Sequence, residues 1–165
     1  MLPHFGAAYN FARWLAGSDA DAADIVQESY LRALTFFDNF RGGDARSWLL
    51  AIVRNTCYTW LHKNRRYELI ADFDPVAHGP TEISNPEIEH LRRADAEAVR
   101  RHLEQLPHEY REALVLREME GLSYREIAEI TGVAMGTVMS RLARARRRLH
   151  DSKVNAARAQ RESHA

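Results

Sequence analysis

Between residues 137 and 148 the sequence spaces Thr137, Ser140, Arg141, Arg144, Arg147 and Arg148 as a helix would, with no acidic residue among them. Hydroxyls and forked guanidiniums of this kind hydrogen-bond base edges and pair with phosphates. A second basic stretch, 41 to 67, sets Arg41, Arg46, Arg54, Lys63, Arg65 and Arg66 against the single acid Asp44 before Glu68, interleaved with Tyr58 and Trp60. Cations among aromatics suit a single nucleic-acid strand, whose bases stack while its phosphates are neutralised. Ahead of it, residues 17 to 40 hold Asp19, Asp21, Asp24, Glu28 and Asp38 against one base, Arg32. Paired carboxylates can do acid–base catalysis, but on an open helix face nothing shifts their pKa, so these read as a contact surface.

Other chemistry finds no support. His108-Glu109-Tyr110-Arg111-Glu112 begins like a zinc-protease helix, yet its fifth position is Glu, so the second ligand is missing. The lone Cys57 permits neither an internal disulfide nor a thiolate metal cluster and reads as a packed, inert thiol. No glycine-rich phosphate loop occurs, and no cofactor is expected. The net formal charge of 0 over 165 residues hides the alternating acidic and basic blocks, and distribution counts for more than the sum. Neither an apolar run of membrane-spanning length nor a signal-peptide layout at Met1-Leu2-Pro3-His4 is present, so an intracellular protein without membrane insertion is expected.

The elements that must position these residues are helices, because apolar residues recur at helical spacing and strand signals are nearly absent. The expected fold is all-α, two small helical domains joined by a flexible linker. A first helix over 3–16 would bury Phe5, Tyr9, Ala12 and Leu15; a second, capped by Ser18, would run to Phe37 and bury Val26, Tyr30, Ala33 and Phe37. Asp24, Gln27 and Glu28 then face outward. Asp44 caps a third helix with Trp48, Leu49, Ile52, Val53 and Leu61 on its apolar stripe. Periodicity fails over 68–86, where Asp74-Pro75, Gly79-Pro80 and Asn85-Pro86 mark a linker between a domain at 1–67 and another at 87–150. The polar tail, 151–165, is expected to fray.

Residues 121–149 read as a helix-turn-helix. Ser123 and Glu126 form a capping box, Ile127 and Ala128 give a close-packing face, and Gly132 supplies the left-handed residue that ends the first helix. Val138 and Leu142 hold the second helix, leaving Thr137, Ser140, Arg141 and Arg144 outward.

With this motif, the segments Asp24-Ile-Val-Gln-Glu-Ser-Tyr-Leu-Arg-Ala-Leu34, Phe40-Arg-Gly-Gly-Asp-Ala-Arg46 and Ser47-Trp-Leu-Leu-Ala-Ile-Val-Arg-Asn55 resemble region 2 of the extracytoplasmic-function sigma factors of bacterial RNA polymerase. Residues 106–148 resemble their region 4. The resemblance implies that Asp24, Gln27 and Glu28 dock on the β′ clamp helices of core polymerase. It implies that Phe40, Arg41, Asp44 and Asn55 capture a flipped base of the minus-ten element. Arg54 and Lys63, by their chemistry, add contacts to that strand. It further implies that Thr137, Ser140, Arg141 and Arg144 read the minus-thirty-five element, with an apolar contact to the β flap; Arg146, Arg147 and Arg148, by their charge, are expected to meet phosphates. Met139 and Ala134 depart from the common pattern of the recognition helix, which bears on the promoter sequence read. An anti-sigma factor is an expected partner. The alternative is a stand-alone repressor that dimerises through its N-terminal bundle on a palindrome.

Overall fold

The computed structural model describes residues 2–68 and 96–165. Among the described residues every regular element is a helix: a 3-10 turn Leu2–His4, α1 (Phe5–Ala16), α2 (Asp19–Thr35), a 3-10 turn Phe37–Asn39, and α3 (Ala45–Glu68). Then come α4, described over 96–104, α5 (His108–Leu114), a π turn Val115–Met119, α6 (Tyr124–Thr131) and α7 (Met135–Ser163). The expected linker 68–86 lies outside the described residues except for Glu68, which closes α3. Of the expected helix 87–104, residues 87–95 lie outside them too.

Local chemistry starts and stops these helices. Ser18 accepts from the Asp21 amide at the start of α2, and Gly17 ends α1 at φ 78°, where a side chain would be strained. Asp44 receives the Arg46 amide at 3.1 Å, the Ser47 amide at 3.3 Å and the Ser47 hydroxyl at 2.6 Å. The Ser47 hydroxyl, more than any other group, holds the Asp44 carboxyl below the usual carboxylate range.

α1, α2 and α3 pack on one another, α5 and α6 pack on α7, and the two bundles meet where α6 lies on α3 and α5 on α1. Their buried residues form one continuous core, from Ala8, Phe11, Leu15, Ile25 and Leu49 to Leu116, Ile127, Val138 and Leu142. α1 buries Ala12 and Leu15 as expected, but its inward face is rotated to take Ala8 and Phe11 with them, and Phe5 is 51% exposed. The alanines let α1 approach its neighbours closely, and Phe5 instead stacks on Tyr9 and Tyr30 outside the core. α2 ends at Thr35, short of Phe37, whose ring is 53% exposed and lies against Phe40. On α3 the buried stripe is Leu49, Leu50, Val53 and Cys57, with Trp48 and Ile52 half-buried beside it.

The tail departs most. α7 continues to Ser163, because 151–163 contains no glycine or proline and its second half, Ala156 to Glu162, consists entirely of alanine, arginine, glutamine and glutamate, all strong helix formers.

Candidate nucleic-acid interface

α6 and α7 build a helix-turn-helix from local signals. The Ser123 hydroxyl accepts from the Glu126 amide at 3.1 Å while Glu126 accepts from the Ser123 amide at 2.7 Å, satisfying two amides at the start of α6. Gly132 ends it at φ 72°, its amide bonding Ala128 O at 2.9 Å. Val138, Leu142 and Ala145 bury one face of α7. The opposite face therefore carries Thr137, Ser140, Arg144, Arg147 and Arg148 in the open, with Arg141 half-buried at its edge. Arg148 lies over the Tyr110 ring at 5.1 Å, so its charge is partly committed to α5. Arg146 is bonded to Glu118 at 2.8 Å, which raises its pKa further and gives it a fastening role.

The second basic stretch is divided by the fold. Arg41, Asp44, Asn55 and Lys63 are exposed, Gly42 and Gly43 turn the loop at φ 85° and 108°, and Phe40 packs its half-buried ring on Trp48 with centroids 5.0 Å apart. Arg54 does not stand open as the sequence reading placed it. Its Nε bonds the Glu112 carboxylate, and its guanidinium lies 4.6 Å over the Tyr58 ring. Tyr58 donates its hydroxyl to the other Glu112 oxygen at 2.6 Å. Burial and then the Glu112 charge push the Tyr58 phenol well above its ordinary pKa. Sequence reading missed Glu112 altogether: its partners are 58 and 54 residues away, and only a buried carboxylate opposite an arginine-bearing helix signals it.

On α2, Asp24 and Gln27 are exposed and Glu28 is half-buried in an ion pair with Arg32 at 2.9 Å. Beside them α1 and α2 enclose an apolar groove of about 570 Å³ lined by Phe5, Tyr9, Val26, Tyr30, Leu31 and Leu34. Among the described residues no cluster of His, Cys, Asp and Glu could hold a metal, and no helix is long and apolar enough to cross a membrane.

Cys57 is buried beside the Glu112 pair, and burial above all, then the Glu112 charge, pushes its thiol up to about 12. Relative to the ordinary value of 9.0, that leaves about a thousandfold less thiolate near pH 8, and the thiolate is the reactive form. Reaction with a disulfide reagent such as DTNB is therefore expected to be slow in the folded chain and complete within seconds in guanidinium. Rapid stoichiometric labelling of the folded chain would contradict the burial.

Two helical bundles in series, the second a helix-turn-helix with an open polar and basic recognition face, define a class of DNA-binding regulator. Within that class, residues 3–67 match the model for Sigma-70 region 2, and residues 96–149 match the model for Sigma-70, region 4. The chain is 38% identical over 154 residues to the ECF RNA polymerase sigma factor SigE of Mycolicibacterium smegmatis, a match covering 90% of this chain and 58% of that one. It is 39% identical over 142 residues to the ECF RNA polymerase sigma-E factor of Escherichia coli, covering 81% and 74%. Its fold matches the sigma factor RpoE of Bartonella quintana, solved with the anti-sigma factor NepR, at TM-score 0.75 and 30% identity over 92% of both chains. CnrH, solved with the cytosolic domain of CnrY, shares the fold at TM-score 0.65 and 24% identity over 94% of this chain and 84% of that one. The chain belongs to the ECF sigma factors of the sigma-70 family.

Proposed function

We propose that the chain directs core RNA polymerase to particular promoters, docking through α2, opening the minus-ten element with the 40–44 loop and α3, and reading the minus-thirty-five element with α7. Residues 1–67 serve the first two tasks and 87–150 the third. The observation that carries the reading is that one chain of this family presents a polar face with the acid Asp24 beside Gln27 on α2, and a basic recognition face, Thr137 to Arg148, both open to partners. The acidic face suits a basic or polar polymerase surface, and the recognition face suits a major groove. Region 2 would capture a base with Asn55 beside Arg41 and Lys63, and Arg147 and Arg148 would rest on phosphates. The chain works in the cytoplasm and supplies specificity, while polymerase performs the chemistry. Because related factors are seen with anti-sigma factors, a protein of that kind restrains this one as well. The stand-alone repressor is disfavoured by the region 2 match over 3–67.

Transcription in vitro tests the proposal: purified chain and bacterial core polymerase on a library of genomic fragments yield start sites absent with core alone. Asp24→Arg, a charge reversal at an exposed docking residue, is expected to weaken core binding at least tenfold, about 1.4 kcal/mol, with the fold intact. If no chain-dependent transcript appears although the chain binds core, or if it binds palindromic DNA tightly without polymerase, the proposal fails.

A further inference from the structure

The carboxylate of Glu112 is fully buried and spends both oxygens on the other bundle, one on Arg54 Nε and one on the Tyr58 hydroxyl at 2.6 Å. Arg54 keeps only 20% of its side chain in solvent. At the rim of the same interface Arg46 donates to the Glu120 carboxylate at 2.7 Å and to its backbone carbonyl at 2.6 Å. Two cations of the basic 41–67 stretch are thus neutralised by two carboxylates of the C-terminal bundle. A buried ion pair gains little net stability over open, hydrated charges, because both ions lose water, but it fixes orientation.

The chemistry of the contact is that of a nucleic-acid contact. A carboxylate and a phosphodiester both offer a guanidinium anionic oxygens, and an arginine held against one inside a closed interface is not presented to the other. Geometry also demands that the contact part. On the functional reading proposed above, the two bundles sit on DNA elements about 25 base pairs apart, roughly 85 Å along the duplex at about 3.4 Å per pair. A compact chain of this length has a radius of gyration of about 15 Å, too small to reach both.

We propose that Glu112, assisted by Glu120, acts as an internal phosphate mimic that closes the C-terminal bundle over Arg54 and Arg46 in the free chain. The closed chain leaves the recognition face of α7 open, and Asn55 and Lys63 with it, but withholds Arg54 and Arg46 from single-stranded DNA until polymerase spreads the two bundles. The residues of this latch belong to neither proposed reading surface except Arg54, which serves both states in turn.

Glu112→Gln keeps the volume and an acceptor for Tyr58 while removing the charge. Glu120→Gln acts at the rim, away from the core, and serves should the first variant fold poorly. The free wild-type chain, each variant and the double variant would be compared by small-angle X-ray scattering, by circular dichroism for helicity, and by titration of a fluorescent single-stranded oligonucleotide at low salt. The expected result is unchanged helicity, a larger radius of gyration in the double variant, and oligonucleotide binding at least tenfold tighter than wild type, with Glu120→Gln intermediate. Transcription by the variants with core polymerase is expected to stay within twofold of wild type. Unchanged size and oligonucleotide affinity in folded variants would overturn the latch. Absence of transcription by the wild-type chain would overturn the sigma reading instead, and the scattering comparison would still decide whether the carboxylates close the chain.

Discussion

Replacing Arg141 and Arg144 together by alanine is expected to cut transcription from promoters that depend on the minus-thirty-five element at least thirtyfold, leaving core binding unchanged. A bidentate guanidinium-to-base contact is worth about 1–3 kcal/mol of discrimination, so two give about 2–6 kcal/mol, and the low end already corresponds to about thirtyfold. The helix itself does not suffer. Arg144 is exposed and Arg141 half-buried, α7 is held by Val138, Leu142 and Ala145, and alanine is the best helix former. Arg147→Ala is the contrasting variant: exposed and free of the aromatic contact that engages Arg148, it should weaken binding evenly across sequences. Loss of one phosphate contact lowers the slope of log affinity against log salt by about 0.9. In vitro transcription and footprinting over a salt series would separate the two behaviours. A double variant that retains its promoters would place sequence reading elsewhere on the chain.

Much of this face was legible because it rests on short-range rules. The capping box at Ser123 and Glu126, the left-handed Gly132 and the Asp44 cap each involve residues within a few positions, and each stands where its local chemistry puts it. The sigma family was equally legible, since its motifs run through both bundles in order. What the sequence concealed involves choices made between distant segments. α1 carries two apolar stripes, and nothing local says that Ala8 and Phe11 prevail over Phe5 and Tyr9; the close approach of α2 and α3 over the alanines decides it. Arg54 looks like any outward cation until Glu112, 58 residues later, is brought against it. The tail differs from expectation for another reason: a polar terminus suggests fraying, but helix propensity without a breaker carries α7 through to Ser163.

Replacing Arg111 by methionine is expected to lower the thermal midpoint by about 10–15 °C, the largest loss of stability from any single charged residue here. Arg111 is buried, and its guanidinium donates to four backbone carbonyls: Leu103 at 2.9 Å, Glu104, Leu106 at 3.0 Å and, across the bundle interface, Trp14 at 3.4 Å. Those carbonyls belong to the ends of α4 and α1 and to the α4–α5 turn, where a helix runs out of amides of its own; of the four, Leu103 also accepts from the Leu106 amide at 3.1 Å. Burial lowers the arginine's pKa while the Glu104 charge opposes it, and the group stays ionised because no arginine deprotonates at ordinary pH. Methionine fills a similar volume but offers no donor, so the Glu104, Leu106 and Trp14 carbonyls lose theirs; a buried acceptor left unpaired costs about 1–3 kcal/mol, and about 1 kcal/mol moves the midpoint of a chain this size by about 2–4 °C. Lysine would recover only part of the loss, since one ammonium cannot span four carbonyls set around a planar fork. Circular dichroism melts of the three proteins test this, and a methionine variant melting within 3 °C of wild type would show that water or other donors replace the arginine. The position of Arg111 next to Glu112 gives the result a functional side. Adjacent residues on α5 point in different directions, so Arg111 ties the helix back to α4 and α1 while Glu112 reaches α3. With Arg111 gone, α5 no longer holds Glu112 at a fixed height. The two bundles should then separate at a lower temperature than either unfolds, visible as a loss of Cys57 protection from DTNB ahead of the loss of helicity.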